Sequence, residues 1–256
     1  MKRILGIAML LLGLAGSISV MAQEVKPGKV EEVDLGEGIK LEMLLVPAGK
    51  FMMGSPKSEK RRSSDETQHE VTITKPFYMG KYEVTQEQWE AVMGKNPSTK
   101  TKGKKLPVTS VSWNDCQEFI KKLNAKTNGG YRLPTEAEWE FSCRAGTTTA
   151  YSFGDSLTKS DANIDSPSIK PVGSNKPNGF GLFDMHGNVQ EWCEDYSAFY
   201  PTGAITDPKG PATGENHVLR GGDFNLFDYT TRSSRRSGAK PTGRYGNVGL
   251  RLAKTK

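Results

Sequence analysis

From Thr147 to the C-terminus, Asn, Gly, Pro and Asp interrupt every apolar run, and no stretch there sustains a helical period. A chain built this way cannot become a helical bundle. It must bury irregular backbone, and each buried N–H and C=O then needs a partner. The 28 glycines and 14 prolines among 256 residues extend the constraint to the whole chain. Aromatic residues still recur along it, so the composition is globular and not disordered. The length suits one large domain or two small ones.

Regular structure is expected in the first half. "LEMLLVPAGKFMMGS" reads as strand, turn and strand, and "HEVTITKPFYMGKYEVT" as two strands flanking Lys75-Pro76. Residues 23–40 form a polar lead-in, and "SPKSEKRRSSDETQ" is polar without periodicity, a surface loop. Thr85 to Gln88 spells a capping box that opens a helix to about Met93, closed by Gly94. Trp113, Cys116, Phe119, Ile120 and Leu123 make the core stripe of a second helix. A third opens on Thr135-Glu136-Ala137-Glu138 and ends near Gly146. Glu136 and Glu140 lie on one face of it, as exposed charge or bound to Arg132 or Arg144. Short strands are expected at "NVQEWCEDY", "HVLRGG" and "NVGLRLA". The fold class is α+β.

The N-terminus places Lys2 and Arg3 before an apolar run, with Val20-Met21-Ala22 as small residues for a signal peptidase. Residues 1–22 therefore read as a secretory signal, 23–37 as a lead-in and 38–256 as the domain. Export to the periplasm, the cell surface or the medium follows, with no membrane span after cleavage. Nucleic acid is then excluded as a partner, and the cleaved chain carries only 33 basic against 29 acidic side chains. Cys116, Cys143 and Cys193 are odd in number, so one disulfide plus a thiol and three buried thiols both stay open. There is no G-x-S-x-G, P-loop or C-x-x-C.

Seven phrases carry more than propensity: "VPAGKFMMGS", "YEVTQEQWEAVMG", "LPVTSVSWNDCQEFIKKLN", "YRLPTEAEWEFSCRAGT", "PNGFGLFDMHGNVQEWCEDY", "LRGGDF" and "NVGLRLA". In this order they resemble the formylglycine-generating enzyme family, the sulfatase-modifying factors, over about residues 38–254. The resemblance implies a compact, loop-rich fold related to C-type lectins. It also implies oxidation of a sulfatase cysteine by oxygen at a copper(I) ion held on two thiolates, the soft ligands that ion favours. Those cysteines follow the Gly-Gly-Ser of the family's pocket loop. Here the matching positions are Leu226 and Thr231, and the serine position is Asp223, so the copper ligands are missing.

The same resemblance assigns a structural calcium to "GNVQEW", with Asn188, the carbonyl of Val189 and Glu191 as oxygen ligands. The family's other calcium site begins at a phrase like Asp161-Ala162-Asn163-Ile164, and its downstream segment is shortened here. Relatives with an iron on three histidines carry it in an added helical domain. This chain has His69, His186 and His217 at no ligand-like spacing.

The expected function is a non-catalytic, exported binding or assembly module, with a protein, peptide or glycan as partner. Asp223, Phe224, Asn225, Phe227, Asp228 and Tyr229 form its pocket loop, with Arg232, Arg235 and Arg236 behind. Aromatic platforms beside amides and charges suit such ligands. The alternative is an oxidoreductase of the formylglycine-generating type, or an enzyme of altered chemistry on Asp223 and Asp228 or Cys193.

Overall fold

A computed structural model describes residues 28–256, so the stretch read as a signal sequence lies outside the described residues. Among the described residues, three small sheets and three α-helices carry most of the regular structure. The largest sheet has five antiparallel strands in the order β1 (Val30–Asp34), β2 (Lys40–Val46), β5 (Phe77–Gly80), β12 (Ala253–Thr255) and β6 (Tyr131–Arg132). Its period of two divides the interior into two cores. Leu41 and Met43 of β2 face one core, while Leu44 and Val46 face the other. Tyr78 and Met79 on β5 divide in the same way.

Helices α1 (Gln86–Met93) and α2 (Trp113–Lys126) close the first core, where Trp89 stacks on Phe119 at 4.8 Å. Both begin in capping boxes, Thr85 with Gln88 and Ser112 with Asp115, which satisfy the free amides of the first turn. Gly94 takes a left-handed φ of 80° and ends α1. The second core gathers around α3 (Glu136–Arg144), every residue of which is buried.

That helix contains three glutamates and an arginine, so its burial requires partners for each charge. Arg132 takes Glu138 at 2.6 Å and Arg144 takes Glu140 at 2.9 Å. Glu136 instead binds Arg236, 100 residues away, at 2.6 Å. Arg220 sits between, 2.6 Å from Glu140 and fully buried.

The second sheet runs β10 (Arg236–Ala239), β9 (His217–Arg220), β7 (Gln190–Tyr196) and β11 (Val248–Gly249). The third runs β3 (Gly49–Met53), β4 (His69–Ile73) and β8 (Ile205–Thr206). The late strands expected from the sequence thus form, although "NVGLRLA" divides between two sheets at β11 and β12.

Two readings change. Val30–Asp34, inside the polar lead-in, is an edge strand whose residues are exposed or half-buried, with Val33 packed on the first core. An edge strand with one wet face needs few apolar residues and leaves little trace in composition. The polar loop after β3 is exposed or half-buried but sends Ser55 and Glu66 fully inside. The cysteines are three buried free thiols. Among the described residues no helix is long and apolar enough to cross a membrane.

Candidate functional site

β9 ends at Arg220, and Gly221 and Gly222 follow with φ of 93° and 67°. A Cβ on Gly222 would lie 2.5 Å from Thr231 Cγ2 and 2.8 Å from the Thr230 carbonyl, so only glycine lets the two ends of the loop meet here. The glycine pair turns Asp223 inward. Gln190 Nε2 and Asn247 Nδ2 donate to its Oδ2 at 3.0 and 2.8 Å, and the Asn225 amide donates to Oδ1 at 3.2 Å. Burial raises its carboxyl pKa despite these donors. Phe224 packs on Leu106, Ile169 and Val189. Neither residue reaches the groove formed by the rest of the loop.

That groove has a volume of about 530 Å3 and lies between residues 56–61 and the turn at 228–232. Lys60, Arg61, Tyr151, Asp155, Asp228 and Tyr229 line it, with Arg232 at its back. Phe227 stands at the edge, 57% exposed, its ring nearly parallel to that of Tyr229 with centroids 6.1 Å apart. The Arg61 guanidinium lies 4.6 Å from the Tyr229 centroid. Asn225 is exposed outside the groove.

The three arginines expected behind the pocket separate. Arg232 is buried and spends its guanidinium on Glu59, Glu66, Ser234 and the carbonyls of Arg61 and Tyr229. Arg235 is partly exposed, 3.9 Å from Glu66. Arg236 faces another part of the molecule, bound to Glu136 with Tyr200 beneath it at 4.1 Å. Of the nine expected residues, Asp228, Tyr229 and Arg232 meet in the groove and Phe227 borders it. Lys60 and Arg61 on the opposite wall come from the aperiodic polar loop, which gave no signal beyond its run of basic residues.

Leu226 and Thr231 occupy the positions that the resemblance gives to copper thiolates. Thr231 is buried, its hydroxyl donating to the Asp228 carbonyl and its own carbonyl accepting from His186 Nδ1 at 2.7 Å. Neither side chain fits copper(I), which favours sulfur. Cysteines elsewhere do not take over: all three are buried, and burial raises their thiols, Cys143 to about 12. Cys143 lies 3.6 Å from His186 Nε2, and burial lowers that imidazole to about 4, so the pair is neutral.

Two members of the expected calcium set, Asn188 and Glu191, have protein partners. Asn188 Oδ1 accepts from Asn163 Nδ2 and the Lys170 amide, both at 3.0 Å. Glu191 binds Arg251 at 2.7 Å and accepts from Trp139 Nε1 at 2.6 Å. The Val189 amide and Asn188 Nδ2 both donate to Glu83. Arg251 thus supplies a positive charge among Glu83, Asp184 and Glu191, while Asn163 Oδ1, beside Asn188, is buried without a hydrogen-bond partner among the described residues. His69, His186 and His217 are buried in separate surroundings, against Tyr200, Cys143 and Trp113 respectively.

The family model of the sulfatase-modifying factor enzyme 1-like domain matches residues 37–256. The chain is 38% identical over 169 residues to the formylglycine-generating enzyme of Streptomyces coelicolor, covering 57% of this chain and 52% of that protein. It is 32% identical over 243 residues to the serine/threonine-protein kinase pkn1 of Chlamydia caviae, covering 83% of this chain and 38% of the kinase. It therefore spans about half the length, or less, of these curated relatives. Among solved structures, Treponema denticola variable protein 1 superposes with a TM-score of 0.81 at 28% identity, covering 89% of this chain and 99% of that one.

Proposed function

As the chain belongs to the family of the sulfatase-modifying factor enzyme 1-like domain, we propose that it is an exported, non-catalytic member that binds a peptide or glycan in the groove beside Tyr229. The observation that carries this reading is the content of the loop after Gly221-Gly222. Where the resemblance calls for two thiolates it holds Leu226 and Thr231, and between them it presents Phe227, Asp228 and Tyr229 at the surface. Phe227 supplies an apolar platform, Lys60 and Arg61 supply donors, and Asp155 and Asp228 supply acceptors. A shallow polar groove with one aromatic edge suits an extended ligand with alternating apolar and hydrogen-bonding faces. A role as an assembly part of a larger machine would use the same surface.

An enzyme of altered chemistry would use Asp223 and Asp228 or recruit Cys193, which is buried with its thiol pKa raised by that burial. Asp228 lines the groove, whereas Asp223 is turned toward Gln190 and Asn247. The geometry therefore favours binding. The test is a screen of the purified protein on immobilised glycans and a displayed peptide library, repeated with Phe227→Ala/Tyr229→Ala. Selective binders should lose affinity for the double variant at an unchanged unfolding midpoint. Undiminished binding would remove the groove from the proposal.

A further inference from the structure

A second cavity, of about 350 Å3, lies at the N-terminal end of α3, apart from the groove. Phe199, Pro201, Ile205, Pro208 and Pro211 form its apolar walls, and Met53 and Ala137 close part of its base. The polar groups that line it have an unusual balance. Asp195, 4% exposed, accepts from the Glu136 amide through Oδ2 at 2.8 Å, while its Oδ1 meets no donor from another described residue. His69, 5% exposed, donates from Nδ1 to the Thr67 carbonyl at 3.0 Å, so that in the neutral ring Nε2 is an acceptor. Tyr200 gives its hydroxyl to Glu136 at 2.8 Å, and Arg236 is engaged by Glu136 and the carbonyls of Ala198 and Asp65. The buried lining therefore offers the acceptors Asp195 and His69 among apolar side chains, while the donors Lys209 and Tyr196 line the cavity from its more exposed side.

We propose that this cavity is a binding site for an apolar-bodied cation, a primary amine on an aromatic or branched hydrocarbon stem, held by Asp195 with His69 as second acceptor. The volume falls in the range of small-molecule sites, roughly 300–1,000 Å3. An ammonium meets an acceptor-only carboxylate there, and the stem replaces water against proline and phenylalanine. An anionic ligand is disfavoured, because Asp195 already occupies the positive end of α3.

The charges around Asp195 set the pH response. Glu136 and Glu138 face it from α3, His217 and Arg220 lie on β9, Arg236 on β10, His69 on β4 and Lys209 on the covering loop. Arg220 and Arg236 are bound to Glu136 and Glu140. Burial and then Glu136 raise the Asp195 carboxyl to about 7. An ammonium binds its ionised form, so affinity should rise with pH and level off above that value. Below it, affinity should fall about tenfold per pH unit.

The experiment titrates the full protein with 2-phenylethylamine, 2-phenylethanol and 3-phenylpropanoate by calorimetry or NMR from acid to neutral pH. The amine should bind saturably at roughly millimolar concentration or below, at least about tenfold tighter than the other two. Asp195→Asn should cost about tenfold or more and flatten the pH profile. Phe199→Ala, at an 82% exposed position, should weaken the amine at an unchanged unfolding midpoint. If Asp195→Asn fails to fold, the pH profile and Phe199→Ala decide. Equal binding of the alcohol, a flat pH profile in the parent, indifference to Phe199→Ala or no saturable amine binding would each overturn the proposal.

Discussion

Replacing Arg232 by Met should unfold the protein more readily, although by residue type Arg232 reads as a ligand contact. Its side chain is 2% exposed and joins the two walls of the groove, Glu59 and Glu66 on one and the Tyr229 carbonyl on the other. Burial pushes the Glu66 carboxyl up, but hydrogen bonds from Arg232 and Ser55 outweigh this and hold it below its usual value. Methionine keeps much of the volume and leaves both carboxylates without that guanidinium. Breaking one side of a buried pair costs about 3–5 kcal/mol. For a chain of this size about 2–4 °C per kcal/mol applies, so the midpoint should fall roughly 6–20 °C.

The sign with pH follows from the same carboxylate. Because its folded pKa is depressed, Glu66 contributes stability above its unfolded value of about 4.3, and the contribution is lost as pH falls through the folded value. In Arg232→Met burial dominates and raises the Glu66 pKa, so the deficit against the parent should be largest at neutral pH and shrink on acidification. Urea unfolding of parent, Arg232→Met, Glu66→Gln and the double variant at two pH values measures both effects. The double variant should recover part of the loss, since a neutral pair pays no ionic desolvation. A single-variant loss below about 1 kcal/mol, or a deficit independent of pH, would refute the reasoning.

Two further outcomes are expected. The thiols of Cys116, Cys143 and Cys193 are buried with raised pKa values, so a thiol reagent should leave the native protein unmodified at neutral pH and label three sites after unfolding. Export should give a mature chain beginning at Gln23, checked by intact mass of protein recovered outside the cytoplasm. An uncleaved N-terminus there would remove the signal-peptide reading.

The helices were legible because their signals are local. Thr85 with Gln88 and Thr135 with Glu138 lie three residues apart, and hydrogen bonds within that span close each box. Strands β2 and β9 announced themselves through apolar runs bounded by turn residues, and β7 through Trp192 and Cys193 within a polar stretch. The arginines show where such reading stops. Nothing near Arg232 or Arg236 reveals that Glu66 lies 166 positions away, or Glu136 100, and composition cannot separate a free guanidinium from a bound one. The wall at Lys60 and Arg61 and the cavity above Asp195 share this opacity. Both depend on aperiodic loops whose neighbours only the fold decides.

The placement of these ion pairs separates the frame from the surface it carries. Arg220, Arg232, Arg236 and Arg251 are buried and bind Glu136, Glu140, Glu66 and Glu191, tying the irregular second half to α3, the 55–66 loop and β7. Phe227 and Asp228 are exposed, and Tyr229 is only partly buried. Changes at these three positions therefore alter what the groove meets without opening the core, whereas changes at the arginines do the reverse. The two kinds of substitution should come apart in one pair of assays. Phe227→Ala/Tyr229→Ala should lose ligand at constant unfolding midpoint, and Arg232→Met should lose midpoint first. If both variants lost stability to the same extent, the aromatic pair would belong to the frame, and the binding surface would have to be sought elsewhere.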